Sequence, residues 1–246
     1  MVGSAGGIAF SPRTTRQIRK GVPSDVDAVT NVMIQAMPGD PQWNWRFPYR
    51  PQYPKDHIQF TKLLVGIFLD PKYDDWHVMV SEVSGIGIVS FSVWNVSCLT
   101  KRKHGPGDIA QDPAAKVEEL GGNKRRDAHH ARCKAFREQQ IRASKKFFEQ
   151  PVLHLQILGT LREHRRQGHG KSLCKWGMNL VREEGLEGMS VMASPMGREL
   201  YTSLHFRRVG NIHIQVGDEN GVHLEAMMYR VVEEASECGL DRVPSH

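Results

Sequence analysis

The chain has little cysteine and no long hydrophobic run. Its four cysteines lie far apart and form no C-x-x-C pair, so the sequence predicts neither a disulfide framework nor a cysteine zinc site. No apolar stretch approaches the roughly 18 residues that a membrane-spanning helix needs, and the N-terminus lacks the apolar segment of a secretion signal. We therefore expect a cytoplasmic or nuclear protein of a reducing compartment that contacts no membrane and holds no metal.

The chain has fewer acidic than basic residues. There are 33 lysines and arginines against 27 aspartates and glutamates, which gives a formal net charge of +6. This excess suits an anionic ligand. Much of the basic charge lies in residues 101–146, where no aromatic stacking motif is interleaved with it, so nucleic acid is not an expected partner.

The order of strand and helix patterns predicts one α/β domain. Residues 15–232 form this domain, between a disordered tail at 1–14 and a C-terminal tail at 233–246. A hairpin is predicted around Ser84-Gly85. Residues 99–150 have a different character, with a Gly/Pro-containing loop followed by a charged helix, and we interpret them as an insertion lying on the surface.

The stretch RRQGHGKSL, Arg165–Leu173, lies between an apolar strand pattern and a helical pattern. Gly168 and Gly170 have no side chains, so nearby backbone N–H groups can approach a ligand closely. The first turn of a helix also has unpaired N–H groups and a partial positive charge. The turn therefore predicts an anion site suited to phosphate. It matches neither the P-loop, which needs glycine at Arg165, nor the dinucleotide motif, which needs glycine at Leu173.

The pattern R/Q-x-x-G-x-G/A, matched by Arg165, Gly168 and Gly170, resembles motif A of the GCN5-related N-acetyltransferase (GNAT) superfamily. The later stretch VMASPMGRELYTSLHFRRVG resembles its motif B, and IRKGVPSDVDAV and IGIVSFSVW resemble its first and third strands. The resemblance implies a mixed, mostly antiparallel sheet flanked by helices, with strands four and five splayed for acetyl-CoA. Arg162 and His205 depart from the usual proline and glycine of these motifs.

The same resemblance implies the residues that bind acetyl-CoA. Backbone groups of strand four would hold the pantetheine arm, and amides of the turn would hold the pyrophosphate. Ser194 of motif B would contact the cofactor, although with Pro195 it also suits the start of a helix. The implied set is Leu158, Gly159, Thr160, Arg165, Arg166, Gln167, Gly168, His169, Gly170, Lys171, Ser172 and Ser194.

Two residues are candidates for proton transfer. Tyr201 matches the family's general acid, and a phenol of pKa near 10 can protonate a thiolate of pKa about 8.5. His154 is a candidate general base because its ordinary pKa is about 6.5, and alternation would place it on one strand face with Gln156, Leu158 and Thr160. Both residues could instead be structural, and Glu82 or a chain of waters could serve as the base.

The acceptor is less constrained by the sequence. Trp43 and Trp45 lie in a Pro- and aromatic-rich stretch, 38–55, predicted to be a loop, and Trp94 ends a strand. They could line an acceptor pocket or fill the core. The resemblance implies transfer of an acetyl group to a primary amine, a small molecule, by direct attack in a ternary complex. Alternatives are a lysine or N-terminal acetyltransferase of proteins and peptides, and a non-catalytic acyl-CoA-binding module. A homodimer remains open.

Overall fold

The structure is a computed structural model that describes residues 15–104, 112–148 and 152–231. Its centre is a seven-stranded sheet in the order β1-β2-β3-β4-β5-β7-β6. The strands are β1 (Arg16–Lys20), β2 (Trp76–Val83), β3 (Gly87–Asn95), β4 (Leu153–Thr160), β5 (Gly188–Ala193), β6 (Arg207–Ile214) and β7 (Val222–Arg230). The two predicted tails, 1–14 and 233–246, lie outside the described residues. The last described residue is Val231.

Helices cover both faces of the sheet. The α-helices are α1 (Val26–Ala36), α2 (Pro41–Arg46), α3 (Pro54–Leu69), α4 (Ser97–His104), α5 (Pro113–Glu119), α6 (His130–Phe147), α7 (His169–Glu183) and α8 (Arg198–Ser203). Side chains alternate between the faces of each strand, so Phe91 packs in the core under α1 and α3 while Trp94 packs in the core under α7. The predicted mixed α/β architecture is confirmed.

Among the described strands, β4 and β5 are the one parallel pair, and they separate along their length. They pair only from Leu153 opposite Met189 to Leu155 opposite Val191. Beyond this point β4 continues along β3 as far as Thr160, while β5 continues along β7. The edge of β4 after Leu155 therefore has no strand partner within the described residues, and the predicted splay is present.

A bulge interrupts β4 at the point where it leaves β5. Val93 pairs with Ile157, whereas the next residue, Trp94, pairs with Leu155, so Gln156 is an extra residue in β4. Such a residue is left out of the ladder and bends its strand.

The bulge also reverses which face the side chains take. Leu155 and Leu158, three residues apart, both pack in the core under α7, whereas Ile157 packs in the core under α1 and α3. The sequence predicted one shared strand face for His154, Gln156, Leu158 and Thr160. That prediction is wrong, because strict alternation holds only in an uninterrupted strand.

The stretch predicted as a loop contains a helix, α2. Asp40 is its N-cap and accepts a hydrogen bond from the Gln42 N–H at 3.1 Å, and Pro41 occupies the first helical position. Both features favour a helix start. The helix turns Trp43 and Trp45 inward, where both are buried.

The insertion is more than a surface feature. Its charged helix, α6, is confirmed, but Phe136 of that helix is buried. Just before α6, the carboxylate of Asp127 is fully buried, where it accepts two hydrogen bonds from Arg125 at 2.7 and 2.6 Å and lies 2.7 Å from His57 Nδ1 on α3. The prediction of a surface insertion is thus wrong for this part, which is tied into the fold by a buried charge cluster.

Candidate active site

A cleft of about 1050 Å³ opens where β4 and β5 separate. Its floor is formed by β4 and β5, and its walls include α2, α6, the start of α7 and α8. Because the backbone at the edge of β4 is unpaired here, an extended ligand can bind along it as an added strand does.

The glycine-rich turn forms one part of the cleft. Arg166 and Gly168 both have left-handed backbone conformations, with φ of 62° and 86°, and Gly168 is the N-cap of α7. The first backbone hydrogen bond of α7 runs from the Ser172 N–H to the Gly168 carbonyl at 2.9 Å. The amides of His169–Lys171 precede it and have no intrahelical partner. Ser172 was included in the predicted anion site, but its amide is committed to the helix.

Space for an anion at this turn depends on Gly170. A Cβ atom at this position would come within 3.3 Å of Leu200 Cδ2 and 3.6 Å of Leu158 Cδ2, so a side chain would fill the space beside the free amides. Lys171 lines the cleft and is exposed. The free amides, the helix N-terminus and this lysine fit the phosphate groups of acetyl-CoA.

Arg165 holds the turn in place. Its guanidinium donates to the carbonyl of Ala36 at 2.9 Å and to that of Thr160 at 3.3 Å. These bonds join the turn to the end of α1 and to β4. Arg165 lines the cleft, but its side chain acts first as a positioning group.

Two other side chains of the turn, those of Gln167 and His169, form hydrogen bonds within the protein. Gln167 donates to the Glu163 carbonyl at 2.9 Å and does not line the cleft. The ring of His169 is buried, with Nδ1 2.8 Å from Ser81 Oγ. Burial, with nearby Arg16, lowers the pKa of His169, so its ring is neutral at pH 7. The backbone amide of His169, at the start of α7, is the group left free to meet an anion.

The predicted strand-four residues all line the cleft: Leu158, Gly159 and Thr160. The Gly159 carbonyl accepts a hydrogen bond from Ser90 Oγ at 2.8 Å. A Cβ atom at Gly159 would lie 2.8 Å from both Met37 Cε and Phe91 Cε1 and 3.4 Å from Ala36 Cβ, so any larger residue would displace side chains packed against β4.

Tyr201 and Ser194 both line the cleft. Tyr201 is 6% exposed, and burial raises its pKa well above the usual value, so the phenol keeps its proton. The expectation that Ser194 caps the next helix is wrong: α8 begins at Arg198 with Gly197 as N-cap. The Ser194 carbonyl instead accepts bonds from the Gly197 and Arg198 amides, which close a turn before the helix.

His154 also lines the cleft, at the start of β4. Its Nδ1 lies 2.9 Å from Ser190 Oγ, and its ring is 5.7 Å from that of Phe148. Burial lowers its pKa to about 4. Glu82, the alternative base, does not line the cleft and is bonded to Arg19 at 2.8 Å on β1, so it is excluded from this role.

The three candidate tryptophans have different positions. Trp43 is buried and lines the cleft. Trp45 packs in a separate core against β6 and β7. Trp94 is fully buried under α7, where its indole donates to Ser92 Oγ at 2.9 Å and its ring fills the space left by Gly177. The acceptor role predicted for Trp45 and Trp94 is therefore wrong, because neither lines the cleft.

Sequence reasoning missed two residues of the α2–α6 wall, Arg46 and Phe136. The guanidinium carbon of Arg46 lies 4.1 Å from the centre of the Phe136 ring, and both residues line the cleft. The signal for Arg46 was the Asp40-Pro41 helix start, which sets the face of α2 that turns inward. The contact with α6 joins distant segments and has no local signal.

No family model matches the chain. A relative by sequence is an acetyltransferase of Stachybotrys chartarum, 23% identical over 220 residues, which are 87% of this chain and 90% of that protein.

Solved structures resemble this fold over nearly their whole length. The PaiA N-acetyltransferase of Thermoplasma acidophilum, in complex with coenzyme A, is 12% identical with a TM-score of 0.50, over 88% of this chain and 99% of its own. A polyamine N-acetyltransferase of Drosophila melanogaster, which forms N-acetylagmatine, is 13% identical with a TM-score of 0.52, over 88% and 100%. The chain has the GNAT fold. The resemblance seen in its motifs is confirmed at this level, and the proteins of GNAT fold that it resembles are acetyltransferases.

None of the helices in the described residues is long and apolar enough to cross a membrane. The same residues contain no group of three or more histidine, cysteine, aspartate or glutamate side chains placed to hold a metal ion.

Proposed function

We propose that the protein is an acetyl-CoA-dependent N-acetyltransferase that acetylates a small primary amine by direct attack in a ternary complex. One observation carries this proposal: a single cleft contains the unpaired edge of β4, the free amides at the start of α7 and the phenol of Tyr201. These are an extended binding edge, an anion site and a proton donor.

The turn and β4 would bind acetyl-CoA. The amides of His169–Lys171 would bind the pyrophosphate, while Leu158, Gly159 and Thr160 would offer backbone groups along the pantetheine arm. A free β4 amide would also stabilise negative charge on a carbonyl oxygen. When bound, acetyl-CoA supplies an acetyl thioester, whose C–S bond breaks as the amine nitrogen forms the new C–N bond.

Two protons must move during this exchange, and the cleft has a candidate for each. Tyr201, protonated at neutral pH, would give a proton to the departing sulfur. His154, neutral because burial lowers its pKa to about 4, would accept the proton that the amine loses. The products are an N-acetylated amine and the free thiol of coenzyme A.

A small acceptor is favoured over a protein. The helices α2 and α6 wall the cleft with Trp43, Phe47 and Phe136, which suits an enclosed pocket. Among proteins of this fold, the polyamine N-acetyltransferase acts on small amines. A protein acetyltransferase would need an open groove for a peptide.

Calorimetric titration of acetyl-CoA tests the cofactor site. The wild type is expected to bind it with a dissociation constant of about micromolar size. Gly170→Glu should weaken binding at least about 100-fold, because it places a bulky anion beside the free amides. Gly66→Glu on α3 is the matched control, since nothing lies within 4 Å of a Cβ atom there. Absence of binding to the wild type, or equal binding to both variants, would overturn the proposal.

A further inference from the structure

Arg46 is a cationic group in the wall of the cleft. It is half-buried on α2, and its guanidinium carbon lies over three aromatic rings, 4.1 Å from the centre of Phe136, 5.1 Å from that of Phe47 and 5.5 Å from that of Trp43. These cation–π contacts fix the guanidinium plane. They also keep water away from it, which strengthens any electrostatic interaction it makes.

Arg46 forms no ion pair among the described residues, although the nearby carboxylate of Asp40 favours its charged form. Its hydrogen bonds go to Gln42, from Nε to the carbonyl at 3.3 Å and from Nη2 to the side-chain oxygen at 2.5 Å. No carboxylate in the described ranges comes within 4 Å of it. Burial lowers its pKa to about 10, which leaves the guanidinium charged at neutral pH.

The acidic residues that line the cleft are otherwise engaged. Asp40 accepts the Gln42 amide as the N-cap of α2. Asp112 is paired with Arg137 of α6. Glu199 of α8 is exposed and lies 3.7 Å from Arg166.

Other arginines that stack on aromatic rings in this region are neutralised. Arg125, over Phe47 and Phe60, is bonded to Asp127. Arg132, over Trp45, is bonded to Glu219. Arg46 has the same aromatic setting without a carboxylate, and it is the one of these three that lines the cleft.

We propose that Arg46 binds a carboxylate of the acceptor, so that the substrates are small primary amines that also carry a carboxylate. This inference rests on the proposed acetyltransferase function and narrows it. A guanidinium binds a carboxylate through two parallel hydrogen bonds, and its unused N–H groups can face the cleft. Polyamines, which carry positive charge only, would be repelled by Arg46.

Matched pairs of amines test this inference. Acetylation of 4-aminobutyrate and butylamine, and of phenylalanine and 2-phenylethylamine, is followed by release of the coenzyme A thiol and by mass spectrometry of the product. The wild type is expected to prefer the carboxylated member by about tenfold or more in kcat/KM. Arg46→Gln should reduce that preference by about 10- to 100-fold, mainly through KM, and Arg46→Lys should retain part of it.

Arg132→Gln is the control, because it removes a stacked guanidinium that does not line the cleft, and it should leave the preference unchanged. Circular dichroism of each variant checks that it folds. Titration of acetyl-CoA into Arg46→Gln should give the wild-type affinity, since the turn holds the phosphates. An equal loss of acetyl-CoA binding would assign Arg46 to the cofactor and overturn the inference.

The two proposals fail differently. If acetyl-CoA does not bind the wild type, the acetyltransferase proposal fails. If it binds, but butylamine or putrescine is acetylated as well as 4-aminobutyrate, only the carboxylate inference fails. If no amine turns over, quenching of tryptophan fluorescence by 3-phenylpropionate in the presence of coenzyme A decides: binding weakened tenfold or more in Arg46→Gln supports the inference, and equal binding overturns it.

Discussion

Tyr201 combines a position in the cleft with a pKa that burial raises well above its usual value. A phenol of this kind is protonated throughout the neutral range, as a proton donor must be. Tyr201→Phe is expected to lower kcat by about 100-fold, within the range measured for general acids. Affinity for acetyl-CoA should stay the same, because the loss concerns proton transfer and not binding. Steady-state kinetics and calorimetry on the same samples measure both quantities.

A second buried tyrosine provides the control for this prediction. Tyr229 is 8% exposed, its hydroxyl accepts a hydrogen bond from Arg182 at 2.9 Å, and it does not line the cleft. Tyr229→Phe should therefore leave kcat unchanged. An unchanged kcat in Tyr201→Phe as well would show that Tyr201 is not the proton donor, whereas a wild type that binds acetyl-CoA without any turnover would favour the non-catalytic acyl-CoA-binding module.

His154 makes stability depend on pH. Burial lowers its pKa to about 4, below the 6.5 of an unfolded chain, so between these values the unfolded state binds more protons. The stability from its neutral form is present above pH 6.5 and is lost as the pH falls toward 4. His77 adds the same trend, because burial and nearby Lys20 and Lys103 lower its pKa to about 4.

Urea unfolding at pH 7 and pH 4.5 measures this effect. The free energy of unfolding should be lower at pH 4.5, with a slope of at most about 1.4 kcal/mol per pH unit for each histidine. His154→Gln should reduce the fall. An equal fall in wild type and variant would mean that other groups cause it. If His154 is the base, the acidic limb of the kcat/KM profile should lie well below pH 6.5.

At the scale of elements, two helices end with the same motif and different residues. After α7, the Leu186 amide bonds the Val181 carbonyl at 2.9 Å, with Gly185 left-handed at φ 60°. After α8, the Phe206 amide bonds the Tyr201 carbonyl at 3.0 Å, with His205 left-handed at φ 64°. Both are Schellman ends, which favour glycine.

His205→Gly is therefore expected to stabilise the protein. A non-glycine residue costs about 1–2 kcal/mol in this conformation, and part of that is recovered when glycine replaces it. We expect a gain of about 0.5–1 kcal/mol in the free energy of unfolding, measured by urea denaturation. The reverse change at the other helix, Gly185→Ala, should destabilise by about 1 kcal/mol. A loss of stability in His205→Gly would show that the histidine side chain makes a contact that outweighs the backbone cost.

The elements of this fold differ in how far the sequence predicts them. The turn and α7 were predicted because glycine placement and helical spacing are local signals. The bulge at Gln156 was not, since it depends on how β4 pairs with β3. The helix α2 was missed because four prolines around it suggested a loop, although Asp40 and Pro41 together favour a helix start.

The sequence predicted the part of the site that carries a motif and missed the part that depends on tertiary contacts. Residues of β4 and the start of α7 carry a motif, so their place in the cleft followed from the sequence. Trp94 was misassigned because periodicity does not say which face of a strand meets which helix. Arg46 was missed because its environment is made by Phe136, 90 residues further along the chain.

At the scale of the molecule, two carboxylates join α3 to the insertion, Asp127 through a contact with His57 and Asp56 through an ion pair with Arg126. Asp127, fully buried, is bonded to Arg125 and His57, and Asp56 is bonded to the exposed Arg126. Burial alone would raise the pKa of Asp127, but hydrogen bonds from Arg125 and His57 hold it below the usual value. Asp127→Asn would leave Arg125 without its counter-ion and should cost about 3 kcal/mol.

Asp56→Asn is the matched control for that prediction, because its partner Arg126 is 64% exposed. Its cost should be much smaller than that of Asp127→Asn, because an ion pair open to solvent contributes little to stability. Urea unfolding at pH 7 compares the two variants. Equal costs would show that the buried cluster does not hold the insertion in place.

The two walls of the cleft come from different parts of the chain. The side that we propose for acetyl-CoA consists of β4, the turn and the start of α7, whereas α2 and the inserted α6 form the side with Arg46. The end of α2 is fastened to the insertion, since the His129 amide bonds the Arg46 carbonyl at 2.9 Å. Exchange of residues 38–55 together with the insertion is therefore expected to change the acceptor side of this cleft and to leave β4 and the start of α7 in place. A chimera that swaps only one of the two would separate Arg46 from the ring of Phe136 and leave it over Trp43 and Phe47 alone.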